Sequence, residues 1–221
     1  MKKSKTVSNR VNFNLTPIRP LTQNQELMFK SNGHVVAHGY AGTGKTMVAL
    51  YLGLDDIMNN NLYSRLTIIR SAVPTRKEGF LPGTDKEKSE VYQRPYKDIL
   101  TELFGRGDAY DMLKNKFIID FQTTSYIRGN NITDSVVLID ECQNMTMHEL
   151  DSIITRIGKN CRLFICGDML QNGDLGPEVS GLGEFYDILK KMHEFTFIEF
   201  ELEDIVRSGL VKSYLMAKYS K

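Results

Sequence analysis

The sequence predicts an α/β fold, a mostly parallel sheet flanked by helices on both faces. Three observations carry this expectation. Short apolar runs rich in β-branched residues recur along the chain, each bounded by turn residues, as buried strands require. Helical or loop segments separate them, which suits parallel strands joined by crossovers. One strand also runs into a glycine-rich turn followed by apolar positions at helical spacing.

Residues 1–20 are polar and basic, and Pro17 and Pro20 interrupt any helix, so this stretch reads as an arm leading into the domain. A short helix is expected around Asn24–Lys30, ended by Ser31-Asn32-Gly33. The strands follow as HVVAHG, LTIIRS, KFIIDFQ, SVVLID and CRLFICG, with FTFIEFEL as a sixth near the end. After the fourth, Thr146 and Glu149 stand at capping-box spacing, which satisfies two otherwise unpaired backbone N–H groups at a helix start. Leu150, Ile153, Ile154 and Ile157 then share one helix face, and Gly158 is a natural stop. Residues 71–115 are too many for a simple connection and read as an insertion, with a helix-like Tyr92–Phe104 interrupted by Pro95. The organisation expected is an arm over 1–20 and one domain over 21–221.

Composition narrows the function. At 221 residues the chain suits one domain with a real core. Its net charge of +1 gives no global basic field, so any nucleic-acid binding must come from a local patch. Cys142, Cys161 and Cys166 form neither a disulfide framework nor a zinc spacing and read as small buried hydrophobes. No apolar run spans a bilayer and no secretory signal opens the chain; a cytoplasmic protein with no membrane association is expected.

Gly39-Tyr40-Ala41-Gly42-Thr43-Gly44-Lys45-Thr46 fits the phosphate-loop pattern at every fixed position. Glycines let successive N–H groups curl around phosphate oxygens, and the helix start adds its positive dipole end. Lys45 would reach the β- and γ-phosphates of ATP, and the Thr46 hydroxyl would ligate Mg²⁺. The fourth strand delivers Asp140-Glu141 to its carboxyl end, where open α/β sheets bind ligands. Asp140 suits the magnesium carboxylate and Glu141 the group that orients and deprotonates water. After the fifth strand, Gln171 is a candidate sensor of the γ-phosphate with Asp168 shaping the turn; a plain turn is the alternative reading.

Together these motifs resemble the PhoH family of P-loop ATPases, relatives of superfamily 1 helicases. The likeness runs from about Leu21 to Val211. Besides the phosphate loop it takes in Thr22-Gln23-Asn24-Gln25, Gly79-Phe80-Leu81-Pro82-Gly83, Arg94-Pro95 and Tyr126-Ile127-Arg128-Gly129. Further on it includes Asp140-Glu141-Cys142-Gln143-Asn144, Thr155-Arg156-Ile157-Gly158 and Asp204-Ile205-Val206-Arg207. The resemblance implies a RecA-like P-loop NTPase, here as a small, phage-type or single-domain member without an appended nuclease or RNA-binding module. It implies that Gln25 reads the adenine edge, that Gln143 couples the γ-phosphate to nucleic acid, and that Arg207 is an arginine finger. A solvated helix residue and a surface arginine are the alternatives for Gln25 and Arg207. Two departures stand out: Arg70-Ser71 where many relatives have Arg-Pro, and Asn172-Gly173 between Gln171 and Asp174.

Superfamily 1 helicases complete their ATP site with a finger from a second lobe, and this chain has length for one lobe. Arg207 is therefore expected from a neighbouring copy, in a homo-oligomer and most simply a hexameric ring, unless it folds back in cis. Single-stranded RNA or DNA is the expected partner, with Arg70, Arg76, Lys77 and Arg128 beside Phe80 and Tyr126 as a candidate patch. A solvated charged face is the alternative. A small-molecule or nucleoside kinase and a non-catalytic nucleotide-binding module are the rival functions. The absence of an LSGGQ-like signature disfavours an ABC-type ATPase.

Overall fold

A computed structural model describes residues 14–71, 85–127, 131–168 and 179–219. Among these residues six strands form one sheet: β1 (His34–Gly39), β2 (Arg65–Arg70), β3 (Ile119–Thr123), β4 (Ser135–Asp140), β5 (Cys161–Gly167) and β6 (Phe195–Phe200). Their spatial order is β3-β2-β4-β5-β1-β6, and every neighbouring pair is parallel. The helices are α1 (Gln23–Lys30), α2 (Lys45–Met58), α3 (Asp85–Phe104), α4 (Ala109–Asn115), α5 (Met147–Ile154), α6 (Leu182–Leu189) and α7 (Gly209–Tyr219). The α/β class with helices on both faces is the one expected.

Because side chains alternate along a strand, each strand splits its apolar residues between two cores. Val35, Ala37, Leu66, Ile68, Val136, Leu138 and Phe164 face one core, closed by α1, α2, α3 and α4. Val36, Ile69, Val137, Ile139, Leu163 and Ile165 face the other, closed by α5 and α6. This parity also assigns the strand ends. Asp140 continues the Val136 and Leu138 series, and Arg70 continues Leu66 and Ile68, so both fall on the side covered by α2 and α3.

The capping box at α5 is present: the Thr146 hydroxyl accepts from Glu149 N–H while the Glu149 carboxylate accepts from Thr146 N–H. The helix near Pro95 departs from expectation. It begins at Asp85 and runs unbroken through Pro95 to Phe104. Tyr96, Leu100 and Leu103 are buried against the sheet, and that burial holds the helix together across the lost backbone donor. Most of the stretch read as an insertion is thus α3 and α4. Of the arm read over residues 1–20, Leu15 is buried in the core and Thr16 N–H donates to the Leu103 carbonyl at 2.9 Å. Among the described residues no helix is long and apolar enough to cross a membrane.

A buried ion pair ties the far ends of β5 and α2. Arg162 Nη1 lies 2.7 Å from Asp56 Oδ2, and the same guanidinium donates to the Gly33 and Ser31 carbonyls. Cys142 and Cys166 are buried, and burial raises both thiols; Cys161 is half-buried.

Candidate nucleotide site

The glycine-rich segment between β1 and α2 forms the loop expected of it. Gly39, Gly42 and Gly44 carry φ angles of 116°, 79° and 85°, conformations that side chains disfavour. At Gly39 a Cβ would also stand 2.0 Å from the Phe200 carbonyl oxygen, so only glycine lets β1 leave the sheet beside β6. The loop is anchored at three further points. Tyr40 N–H donates to Phe200 O, Val206 N–H donates to Gly42 O, and Gln25 Nε2 donates to Thr43 O at 2.9 Å.

Lys45 opens α2 and is almost fully buried. Its ammonium donates to the carbonyls of Gly39 at 2.9 Å and Tyr40 at 2.6 Å, and to the Thr43 hydroxyl at 3.2 Å. Burial lowers its proton affinity, an effect countered by Asp168, Glu141 and Asp140 among its neighbours. Next along the helix, the Thr46 hydroxyl donates to Asp140 Oδ1 at 2.9 Å across 94 residues of sequence. Thus the phosphate loop and the acidic pair, separate motifs in the sequence, form one site.

Asp140 is buried and its second oxygen is also taken: the Tyr96 hydroxyl donates to Oδ2 at 2.9 Å. Burial, and then the adjacent Glu141 charge, push the Asp140 carboxyl up to about 6. Glu141 has left-handed backbone, φ 55° and ψ 44°, which costs a non-glycine residue about 1–3 kcal/mol and turns the chain sharply after β4. Gln143, also buried, grips the Glu141 carboxylate with its amide nitrogen and accepts from Asp168 N–H at 3.0 Å with its amide oxygen. It thereby links the Glu141 turn to the end of β5.

The residues fit a magnesium ion. Thr46 and Asp140 offer hard oxygen donors in contact, beside the loop that would hold the phosphates. Among the described residues no three His, Cys, Asp or Glu side chains could hold a metal together. A cation here would draw its other ligands from water and phosphate, which suits magnesium.

The remaining sequence candidates fall as follows. Gln25 is buried rather than solvated, and its amide serves the protein itself, accepting from Leu21 N–H at 2.8 Å while donating to Thr43 O. Its neighbour Asn24 donates to Asp204 Oδ2 at 2.7 Å, so α1 clamps the loop to the segment after β6. Arg207 lies over the loop of its own chain: a Cβ on Gly42 would meet its Cγ at 3.0 Å and Nε at 3.2 Å. Arg70 is half-buried with its guanidinium 5.9 Å from the centre of the Tyr92 ring. Burial lowers its proton affinity, and Tyr96, Glu141 and Asp140 more than restore it. Gln171, Asp174, Arg76, Lys77, Phe80 and Arg128 lie outside the described residues, as does the Tyr126 side chain.

Sequence reasoning missed Tyr96. It sits one residue after the Arg94-Pro95 motif, and no local pattern distinguishes its phenol from an ordinary core aromatic. It also missed α7, whose Tyr219 packs edge-on against Tyr40 of the loop with ring centres 5.0 Å apart.

The family described as "PhoH-like protein" matches residues 17–219. The chain is similar to the PhoH-like protein of Bacillus subtilis (strain 168), 35% identical over 190 residues that cover 85% of this chain and 59% of the relative. It is 31% identical over 204 residues to the PhoH-like protein of Mycobacterium leprae, covering 90% of this chain and 58% of that one. These matches span under two thirds of each relative. Among solved structures, the large terminase from a thermophilic bacteriophage, in complex with ADP, aligns with a TM-score of 0.55 at 11% identity. That alignment covers 91% of this chain and 51% of the terminase. At that identity the likeness is one of fold, a RecA-like P-loop ATPase fold.

Proposed function

The chain belongs to the PhoH-like family, and from that premise we propose that it binds ATP with Mg²⁺ and hydrolyses it, coupled to single-stranded RNA or DNA. The observation that carries the reading is the contact between Thr46 and Asp140, which joins the phosphate loop to the acidic pair.

In this mechanism the loop N–H groups and Lys45 bind the phosphates, the ammonium exchanging its loop carbonyls for phosphate oxygens. Thr46 and Asp140 would hold a magnesium ion, which when bound would supply positive charge against the β- and γ-phosphates. Glu141 orients a water and takes its proton as the water oxygen bonds to the γ-phosphorus and the bond to the β–γ bridging oxygen breaks, releasing ADP and phosphate. Gln143 holds Glu141 in place, and Gln171, ten residues beyond Cys161 and outside the described stretch, keeps its role as γ-phosphate sensor. Gln25 fixes the loop, and to read an adenine edge its amide would have to exchange its bonds to Leu21 N–H and Thr43 O for the base.

Arg207 rests on its own loop, which supports a finger acting in cis. The ring expected from a finger supplied in trans is then no longer required by the geometry. Mixing inactive Lys45→Ala and Arg207→Ala chains separates the two: recovered turnover means a homo-oligomeric site, and none means cis. Nucleic-acid coupling rests on the family alone, since Arg70, the described member of the basic patch, faces Asp140 and Glu141.

The test is phosphate release without an acceptor, with and without single-stranded RNA and DNA over a salt series. Nucleic-acid stimulation that fades with salt is expected. Glu141→Gln should cut turnover by about a hundredfold or more while leaving ATP binding intact. Phosphate appearing only on an added small acceptor would favour a kinase. Binding without turnover in the unaltered chain would favour a non-catalytic module.

A further inference from the structure

We propose that Tyr96 is a positioning residue for the metal-binding carboxylate, and that through it α3 sets how well the site holds magnesium. The inference rests on the magnesium–nucleotide reading above and deepens it. Tyr96 is fully buried, and its hydroxyl donates to Asp140 Oδ2 at 2.9 Å. Thr46 holds the other oxygen, Oδ1, also at 2.9 Å. The two hydrogen bonds together fix the carboxylate plane, and only the Thr46 side belongs to the phosphate loop.

The phenol is itself held from two directions. Its ring packs against Phe121 of β3, with centres 5.7 Å apart. Leu100 and Leu103, one and two turns further along α3, anchor the helix in the same core. Arg70 lies close enough for its charge to act on both the phenol and Asp140.

Removal of the hydroxyl has a defined consequence. Asp140 Oδ2 would be left buried without its donor, and the carboxylate would be free to turn away from Thr46. An outlying hydrogen bond that orients a metal ligand typically contributes about tenfold or more in metal affinity. A purely packing role for Tyr96 would have no such preference for the metal, because the ring alone would supply it.

The experiment is a magnesium titration of the binding of a fluorescent ADP analogue, run beside the same binding in EDTA. Tyr96→Phe deletes one oxygen and keeps the ring, and its melting temperature checks the fold. We expect about tenfold more magnesium for half-saturation, with metal-free affinity unchanged. Tyr110→Phe is the control: its hydroxyl donates to Gln93 Oε1 at 2.8 Å in the same core, away from Asp140, and its titration should match the unaltered chain. A Tyr96→Phe chain that titrates like the unaltered one overturns the proposal. So does one whose affinity falls equally with and without magnesium, since that is a structural defect. An unaltered chain indifferent to magnesium would instead overturn the magnesium–nucleotide reading itself.

Discussion

Gly39→Ala is the most decisive perturbation of the site's scaffold. The residue carries φ 116°, where an L side chain is strained by about 1–3 kcal/mol. The new Cβ would also stand 2.0 Å from the Phe200 carbonyl oxygen, about 1.4 Å inside the 3.4 Å at which ordinary contact begins. Its atomic neighbours are backbone, with Phe200 C at 2.8 Å and Phe200 N at 2.9 Å, so no side chain can swing aside. Relief requires β1 and β6 to part where Gly39 and Phe200 are paired. That movement breaks the 3.0 Å bond from Tyr40 N–H to Phe200 O, for about 1 kcal/mol. Overpacking adds about 1–3 kcal/mol. The combined effect is about 5 kcal/mol, a large part of the 5–15 kcal/mol that typically separates folded from unfolded domains. For a chain this size that corresponds to a fall of roughly 15 °C in Tm. Urea unfolding followed by circular dichroism measures it. Gly183→Ala is the counter-case: it lies inside α6 with nothing within 4 Å of the added Cβ, and should stabilise by about 0.5–1 kcal/mol. A Gly39→Ala loss below about 1 kcal/mol, or an equal loss in both variants, would refute the reasoning.

Two further outcomes follow from the electrostatics. The Asp140 carboxyl, raised to about 6 by burial and by Glu141, binds its proton more tightly in the folded chain than in the unfolded one. Its contribution to stability is therefore full below the ordinary carboxylate range and lost as pH rises through about 6. Without nucleotide or metal, Tm should rise as pH is lowered from 7 to 5, and Asp140→Asn should flatten that rise; equal slopes in both chains would sink the assignment. Separately, Asp56→Asn leaves the buried Arg162 guanidinium without its counter-charge and should cost about 3 kcal/mol in chemical denaturation. Because this pair joins the opposite ends of β5 and α2 from the site, the KM for ATP should stay unchanged.

The strands were legible in the sequence because parallel strands buried on both faces need unbroken apolar runs, and Val136–Ile139, mostly β-branched, is such a run. The phosphate loop was legible because its backbone needs glycine at positions that no other residue fills. The Thr46–Asp140 contact was legible only as a pairing of motifs. Tyr96 was not, because its meaning arises when α3 folds across the sheet and brings its hydroxyl to a carboxylate 44 residues away. Arg207 was legible as a candidate, but its setting was not. A motif carries no record of which copy's loop it will touch, and here the bond from Val206 N–H to Gly42 O draws it onto its own. The continuous α3 was hidden by Pro95, whose local cost is outweighed by the apolar residues that follow it.

The alternation that divides the sheet into two cores also makes counting consequential. Asp140 reaches Thr46 and Tyr96 because an even number of steps separates it from Val136 and Leu138, which already face that layer. A single residue gained or lost within β4 would send the carboxylate to the α5–α6 side and present a hydrophobe to the phosphate loop. Such a change could leave composition, strand propensity and even sheet pairing almost untouched. The reading frame of the strand, in this sense, is inherited along with the acidic letters that end it: substitutions in β4 can be conservative, but insertions and deletions there cannot.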